Sequence, residues 1–369
     1  MTSGDSHDIV RVGVIGCGNI ACVRHIPEYL ANPHATIVGY CNRTPERAQE
    51  LAEAHGGRAY ITVDELLDDP SIDAVSICTS NATHAPYAIK ALETGKHVLV
   101  EKPLATSIED CEAMVARARA TGRTLMVCQN QRLERAHLSA RHLVRSGAIG
   151  HVLTFRTSFG HSGPETWSVG GKRPWFFDAN EASMGAMGDL GVHKTDLIQF
   201  LLGTHVAAVT ARFATLDKES SSGEPIGVED NALCIYEMSD GAMGTLCASW
   251  TRYGEEENAT TLYGTKGVMR INSAADLPLR ITETDGAQRA YRYEELPLAP
   301  EDEGAGWSVI DAFVRAIVRD ERPPIDAEDV LPAMRAVFAA AESNRLGRRV
   351  TVCPAAIPAS PLRAGRERG

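Results

Sequence analysis

Val12-Gly13-Val14-Ile15-Gly16-Cys17-Gly18-Asn19-Ile20-Ala21 decides the fold of this chain. An apolar run that begins at Ile9 reads as a buried strand, and it leads straight into G-x-G-x-x-A. Gly16 permits the tight turn, and Gly18 lets backbone approach a pyrophosphate. Ala21 is small enough for a helix to pack closely on the strand. The N-terminus of that helix then faces phosphate charge. The pattern alone is weak, because glycines also serve packing at such turns; its place directly after a strand gives it weight. Asn19 and Ile20 therefore join Gly16 and Gly18 as expected cofactor contacts.

Downstream, short apolar runs alternate with amphipathic stretches. Ile9 to Ile15, Thr36 to Tyr40, Ala74 to Cys78, Val98 to Val100 and Thr124 to Cys128 read as buried strands. Pro45 to His55, Ala82 to Thr94 and Ile108 to Thr121 read as helices. That alternation predicts a doubly wound parallel sheet of the Rossmann type over 9–128. The texture changes after Cys128. A helix is expected over Leu138 to Ser146, a long strand over Ile149 to Ser158 and a helix over Met187 to Leu202. Strand-like runs follow at 206–213, 232–238, 242–250, 259–263 and 268–271, separated by turns such as Ser239-Asp240-Gly241. Trp307 to Arg319 and Val330 to Arg345 read as closing helices. Residues 129–352 are thus expected to form an α+β domain with a large, mostly antiparallel open sheet. Residues 353–369 read as an irregular tail.

The group that reads a cofactor ribose should end the second strand. Asn42 and Arg43 stand there, where an Asp would chelate the ribose hydroxyls and repel a 2′-phosphate. Asn42 is neutral and Arg43 can pair with phosphate, so the expectation is NAD or NADP, leaning to NADP or dual use. Arg43 also reads as a solvated surface charge at a helix start. Thr79, Asn81 and His84 follow the Ala74–Cys78 strand on a loop that can line the cofactor cleft; Ser80 or Asn81 can also cap the next helix.

Glu101-Lys102-Pro103 ends the Val98–Val100 strand, where open α/β sheets bind ligands. A buried ammonium there must be paired or functional. Far downstream, Gly188-Asp189-Leu190-Gly191-Val192-His193 places an acid and an imidazole four residues apart on one helical face. With Gly16 to Ala21, Ala91 to Leu104 and Gly185 to Asp196 in this order, the chain resembles the Gfo/Idh/MocA oxidoreductases, which include glucose–fructose oxidoreductase and inositol dehydrogenases. The resemblance is specific over 9–203 and looser beyond. It implies a Rossmann domain, a C-terminal domain whose open sheet makes homodimer or homotetramer contacts, a nicotinamide cofactor and a sugar or cyclitol substrate. It implies catalytic roles for Lys102, Asp189 and His193, contacts of Glu101 and Lys102 with the cofactor, and a cis bond before Pro103.

The chemistry agrees. Oxidising a secondary alcohol needs a base for the hydroxyl proton, and an imidazole with an ordinary pKa of about 6.5 suits that task. Lys102 can stabilise alkoxide charge or tune His193, while Asp189 can orient the imidazole or bind a neighbouring hydroxyl. Read alone, Asp189 could be a helix cap and His193 a satisfied core histidine; the three motifs together argue otherwise. No ligand cluster supports a metal. Trp167, Trp175, Phe176 and Phe177 can pack on a sugar ring, though at least two should be core. Lys172 and Arg173 can bind a phosphate or carboxylate. Arg132 is expected to serve structure or cofactor positioning.

A net charge of −11 over 369 residues disfavours nucleic acid and anionic membranes. No run of roughly 18 apolar residues offers a membrane span. The nine cysteines form no CxxC pair and read as small buried residues of a reducing, cytoplasmic compartment. Two alternatives to a dehydrogenase stand. One is a glycosidase that retains NAD(H) and uses transient oxidation to drive elimination. The other is a cofactor-responsive regulator without catalysis.

Overall fold

The computed structural model describes residues 9–169, 171, 174–274, 276–302 and 308–353. The polar start, Lys172, Arg173, Trp307 and all of the expected tail beyond Cys353 lie outside these residues.

Strands that are apolar along their whole length need cover on both faces. The first half supplies six strands, of which β4 and β6 are buried throughout: β1 (Val10–Ile15), β2 (Ala35–Cys41), β3 (Arg58–Tyr60), β4 (Ala74–Ile77), β5 (His97–Val100) and β6 (Leu125–Val127). All are parallel, in the order β3-β2-β1-β4-β5-β6. The order reverses beside β1, which makes a crevice at the strand ends there. The helix Ile108–Thr121 has the bounds the sequence predicts. Ser107 accepts the Asp110 amide at its start, and Gly122 adopts a left-handed φ of 67° at its end. Thr44 precedes a proline at the first helical position as expected, but its side chain makes no capping bond.

The second sheet has nine strands: β7 (Val152–Gly160), β8 (Val206–Ala214), β9 (Asn231–Met238), β10 (Met243–Ser249), β11 (Glu257–Gly264), β12 (Gly267–Ile271), β13 (Leu279–Glu283), β14 (Gln288–Tyr291) and β15 (Val350–Thr351). Their order is β14-β13-β12-β11-β7-β10-β9-β8-β15, and only β7 and β10 pair in parallel. Helices Arg135–Arg145, Val192–Leu202 and Ala327–Leu346 cover one face. The opposite face leaves Leu153, Leu233, Ile235 and Met243 about half exposed.

The chain's closing segment returns to the first sheet. Val127 N–H donates to Ile325 O, and Met126 bridges Asp326. Arg132, just past β6, ties the segment that leaves the first sheet to the helix Val192–Leu202 through a buried two-point ion pair with Asp196 at 2.7 and 2.5 Å. No described helix is long and apolar enough to cross a membrane.

Candidate active site

The glycine-rich turn shows why its two glycines differ. Gly16 has a φ of +92°, and a Cβ there would lie 2.6 Å from Cys78 O. Gly18 is the reverse: nothing lies within 4 Å of a Cβ built on it. That cleared space suits the approach of a pyrophosphate to backbone, so the turn fits a dinucleotide. Asn42 braces the turn, since its Oδ1 accepts Cys17 N–H at 2.9 Å and its Nδ2 donates to Thr44 O. Arg43 is exposed. Arg47, which the sequence reading passed over, reaches Cys17 O with Nη1 at 3.4 Å.

The loop after β4 is held from both sides. Thr79 Oγ1 accepts from Thr83, and buried Asn81 donates to Ala182 O across the crevice. His84 is fully buried, with ring nitrogens facing Pro103 O at 2.8 Å and Thr79 O at 3.3 Å. It ties that loop to the Glu101–Pro103 segment from behind, and both ring nitrogens are engaged by the protein. The Lys102–Pro103 bond is cis.

Below Lys102 lies a group that no sequence motif announced. After the glycine turn the chain makes one π-helical turn, Ala21–His25, which delivers His25 to the sheet. His25 Nδ1 meets Ser76 Oγ at 2.7 Å and Nε2 meets Glu101 Oε1 at 2.9 Å. Glu101 Oε2 in turn accepts Lys102 N–H. Burial opposes the Glu101 charge, but bonding and charge from His25, with Lys102, outweigh it and hold the carboxyl at about 2. Burial likewise opposes the His25 cation; Cys78, Cys128 and Glu101 together hold it well above its ordinary value. His25, Glu101 and Cys128 lie close enough to form a metal-type triad. Two of the three are hydrogen-bonded to each other, and burial pushes the Cys128 thiol up to about 12.

His25, Glu101, Lys102, Cys128, Ile20 and His193 line one cavity of about 120 Å³. The helix carrying His193 also opens with a π turn, Met187–Gly191, before the α-helix Val192–Leu202. Thus Asp189 and His193 sit on a wider turn than a regular helix gives. Lys102 Nζ donates to Asp189 Oδ1 at 2.6 Å and to Asp189 O at 3.1 Å, joining the two halves of the chain. Trp250 Nε1 donates to the other carboxylate oxygen at 3.0 Å, and His161 Nε2 lies 3.8 Å from it. Burial would raise the Asp189 pKa, but Lys102, His161 and Trp250 together hold it below the ordinary carboxylate value. His193 is pushed away from its cationic form: burial first, then Lys102, lowers it to about 3. It is therefore a neutral imidazole, and its buried Nδ1 has no partner among the described residues.

Lys194, next in sequence, is fully buried; its Nζ has no hydrogen-bond partner among the described residues and lies 5.9 Å from the centroid of the Phe159 ring. Burial lowers it to about 7 against the pull of Glu134, Glu256 and Glu257.

Rings close the site. Phe159 stands 6.1 Å from His193 and 6.2 Å from His161. Trp175 stacks on Phe176, which meets Trp167 and Trp250 edge-on. Of the four aromatics singled out in the sequence, Phe176 and Phe177 pack against the core and Trp167 is 42% exposed. Lys218 anchors the loop by bonding Ser162 O and Glu165. His161, Trp250 and His25 were not found from sequence, because each is isolated in a segment without a motif. Cysteine burial holds for six of nine; Cys22 and Cys353 are exposed and Cys247 is intermediate, and all nine are free thiols.

Comparison with known proteins gives the same outline. Residues 10–129 match a family model described as an oxidoreductase family with an NAD-binding Rossmann fold. Residues 137–270 match the Gfo/Idh/MocA C-terminal domain. A levoglucosan dehydrogenase of Pseudarthrobacter phenanthrenivorans is 29% identical over 77% of this chain and 79% of its own. A dTDP-3,4-didehydro-2,6-dideoxy-alpha-D-glucose 3-reductase of Streptomyces violaceoruber is 30% identical over 86% of this chain and 89% of its own. A solved levoglucosan dehydrogenase in complex with NADH and levoglucosan superposes with a TM-score of 0.81 at 26% identity, covering 94% of this chain and all of that one. The chain belongs to the Gfo/Idh/MocA family and is an NAD(P)-dependent oxidoreductase of CH–OH groups.

Proposed function

We propose that this enzyme is a dehydrogenase or reductase of a sugar, sugar derivative or cyclitol, with residues 9–128 holding the cofactor and 129–352 supplying most of the substrate site. The observation that carries the reading is the cavity shared by an ammonium and a neutral imidazole from opposite halves of the chain. Bound at Gly16, Gly18, Asn19, Ile20 and the Thr79 loop, a nicotinamide cofactor supplies a hydride acceptor at C4. The protein does the rest. Asp189 uses two of the three Lys102 N–H donors, which leaves one for a substrate oxygen as it gains alkoxide character. His193 takes the hydroxyl proton as a neutral base, and returns it in the reverse direction. Asp189, ringed by donors, stays ionised and positions Lys102.

Cofactor choice follows from the end of β2. No carboxylate stands there, while Arg43 is exposed and Arg47 reaches the glycine turn. That set accepts a 2′-phosphate, so NADP should be used alongside NAD. The half-exposed apolar face of the nine-stranded sheet fits contact with a second copy in a homodimer or homotetramer. The free thiols favour a reducing, cytoplasmic setting.

A panel of polyols and glycosides, each with NAD⁺ and NADP⁺, tests the reading. Net formation of reduced nicotinamide from a sugar or cyclitol supports it. Aglycone release without net reduction would replace it with redox-assisted glycoside cleavage, and tight cofactor binding without turnover of any polyol would point to a regulator.

A further inference from the structure

We propose that His25, Glu101 and Cys128 form a binding site for a zinc ion, and that an ion held there keeps the nicotinamide out of the catalytic cavity. The site does not depend on which sugar or cyclitol the enzyme uses.

The three side chains converge from separate elements. Glu101 and Cys128 follow the neighbouring parallel strands β5 and β6, where Glu101 N–H donates to Ile77 O and Cys128 N–H to Val100 O. His25 comes from the π-helical turn Ala21–His25. One ligand atom from each lies within 4.8 Å of the other two, the one such set of three among the described residues. His25 and Cys128 are 103 positions apart, so no spacing in the sequence shows the set.

The donors select the metal. An imidazole, a thiolate and one carboxylate suit zinc, whereas magnesium and calcium take oxygen ligands. A tetrahedral zinc ion sets its nitrogen and sulfur ligands about 3.5 Å apart, and its nitrogen and carboxylate oxygen about 3.3 Å apart. Here His25 Nε2 is 4.0 Å from Cys128 Sγ and 2.9 Å from Glu101 Oε1. Movements of about half an ångström therefore seat the ion. The outer contacts are already in place. Ser76 Oγ, 2.7 Å from His25 Nδ1, accepts the proton there while Nε2 turns to the metal, and Lys102 N–H holds the second Glu101 oxygen.

The charge balances too. Before binding, the His25 cation offsets Glu101, and Cys128 is a neutral thiol. On binding, the Cys128 S–H bond and the Nε2–H bond of His25 break, and both protons pass to water. Bonds from zinc to sulfur, nitrogen and carboxylate oxygen replace them, and thiolate and carboxylate together match the dication. The fourth position of the ion faces the cavity of about 120 Å³ that Lys102 and His193 also line. Arg24 and Glu28 on that cavity are partly exposed, which gives the ion a way in from solvent. The nicotinamide ring needs the same space, so zinc and cofactor exclude each other. Without metal the three groups satisfy one another, which makes zinc an inhibitor here and not a resident cofactor.

The test is titration of the fully reduced protein with Co²⁺, followed by displacement with Zn²⁺. It compares the wild type with Cys128→Ala, Ser76→Ala and a variant carrying both Cys22→Ser and Cys353→Ser, which removes the two exposed thiols. Thermal unfolding checks that each variant is folded. The wild type should take up a single Co²⁺ per chain with a thiolate-to-cobalt absorption band in the near ultraviolet, and Zn²⁺ should displace it. Cys128→Ala should lose the band, and Ser76→Ala should weaken Co²⁺ binding about 10- to 100-fold. The variant without exposed thiols should bind as the wild type does, and saturating NADH should suppress uptake. A wild type without the band would overturn the site. So would a band that survives in Cys128→Ala and disappears with the exposed thiols, which would mark surface binding only. A band unchanged by saturating NADH would overturn the competition with the cofactor.

Discussion

Lys102 Nζ lies 2.6 Å from Asp189 Oδ1, so an amine that follows β5 and a carboxylate from the second half of the chain form one ion pair with side chains only 17% and 6% exposed. Removing the amine leaves a buried carboxylate with Trp250 as its remaining direct donor. Lys102→Met should therefore destabilise the protein by about 3 kcal/mol in denaturant unfolding. It should also lower kcat at least about 100-fold, with cofactor Kd changed by less than about threefold. Steady-state kinetics and cofactor titration separate the two effects.

His193 is held near 3, below its unfolded value of about 6.5. Between those values the unfolded chain binds a proton that the folded chain does not. The stability contributed by the neutral ring is complete above about pH 6.5 and is lost as pH falls toward 3. The stability difference between wild type and His193→Asn should accordingly fall with pH across that window. The same shift predicts that kcat/KM for oxidation has no acid limb at about 6.5. A pH–rate profile checks this, and His193→Asn should lower kcat by about 100- to 10,000-fold.

Lys194 gives the opposite kind of variant. Its folded value of about 7 lies far below the ordinary lysine value, so at and below neutral pH the fold carries a buried charge without a hydrogen-bond partner among the described residues. Stability should rise as pH climbs from about 7 toward about 10 and the unfolded chain alone keeps the proton. Lys194→Met should be more stable than wild type by about 1–4 kcal/mol at neutral pH, and the advantage should shrink at high pH. Thermal unfolding at two pH values reads this directly.

His25 reaches the Lys102 backbone through Glu101. His25→Phe should lower kcat about tenfold and cost about 1–3 kcal/mol of stability, because Glu101 and Ser76 each lose a partner. His25→Gln keeps an N–H toward Glu101 and should restore most of the rate. Kinetics of the pair distinguish positioning from simple destabilisation.

Local signals explain what could be read in advance. The first sheet was legible because strand, glycine turn and helix caps each leave a mark within a few residues, as Ser107 and Gly122 do around one helix. β3, with three residues, and β15, with two, are too short for any periodicity to show. β14 is polar and exposed, and β13 offers a single apolar alternation, Leu279 and Ile281, before it turns polar. In the site, Lys102, Asp189 and His193 stood in motifs. His161, Trp250 and Lys218 became visible only when folding brought β10 and two irregular loops to the same carboxylate and loop. The π turns before His25 and at Asp189 also left no sequence signal, since they differ from α-helix by one residue of hydrogen-bond register. The ion pair between Arg132 and Asp196 shows the same limit: each residue was noted, but 64 positions of chain separate them.

The most direct measurement is a crystal structure of the enzyme with NADH. The account predicts the nicotinamide ring in the cavity of Lys102 and His193, in contact with both side chains. A ring bound elsewhere, with neither the amine nor the imidazole facing it, would contradict the account.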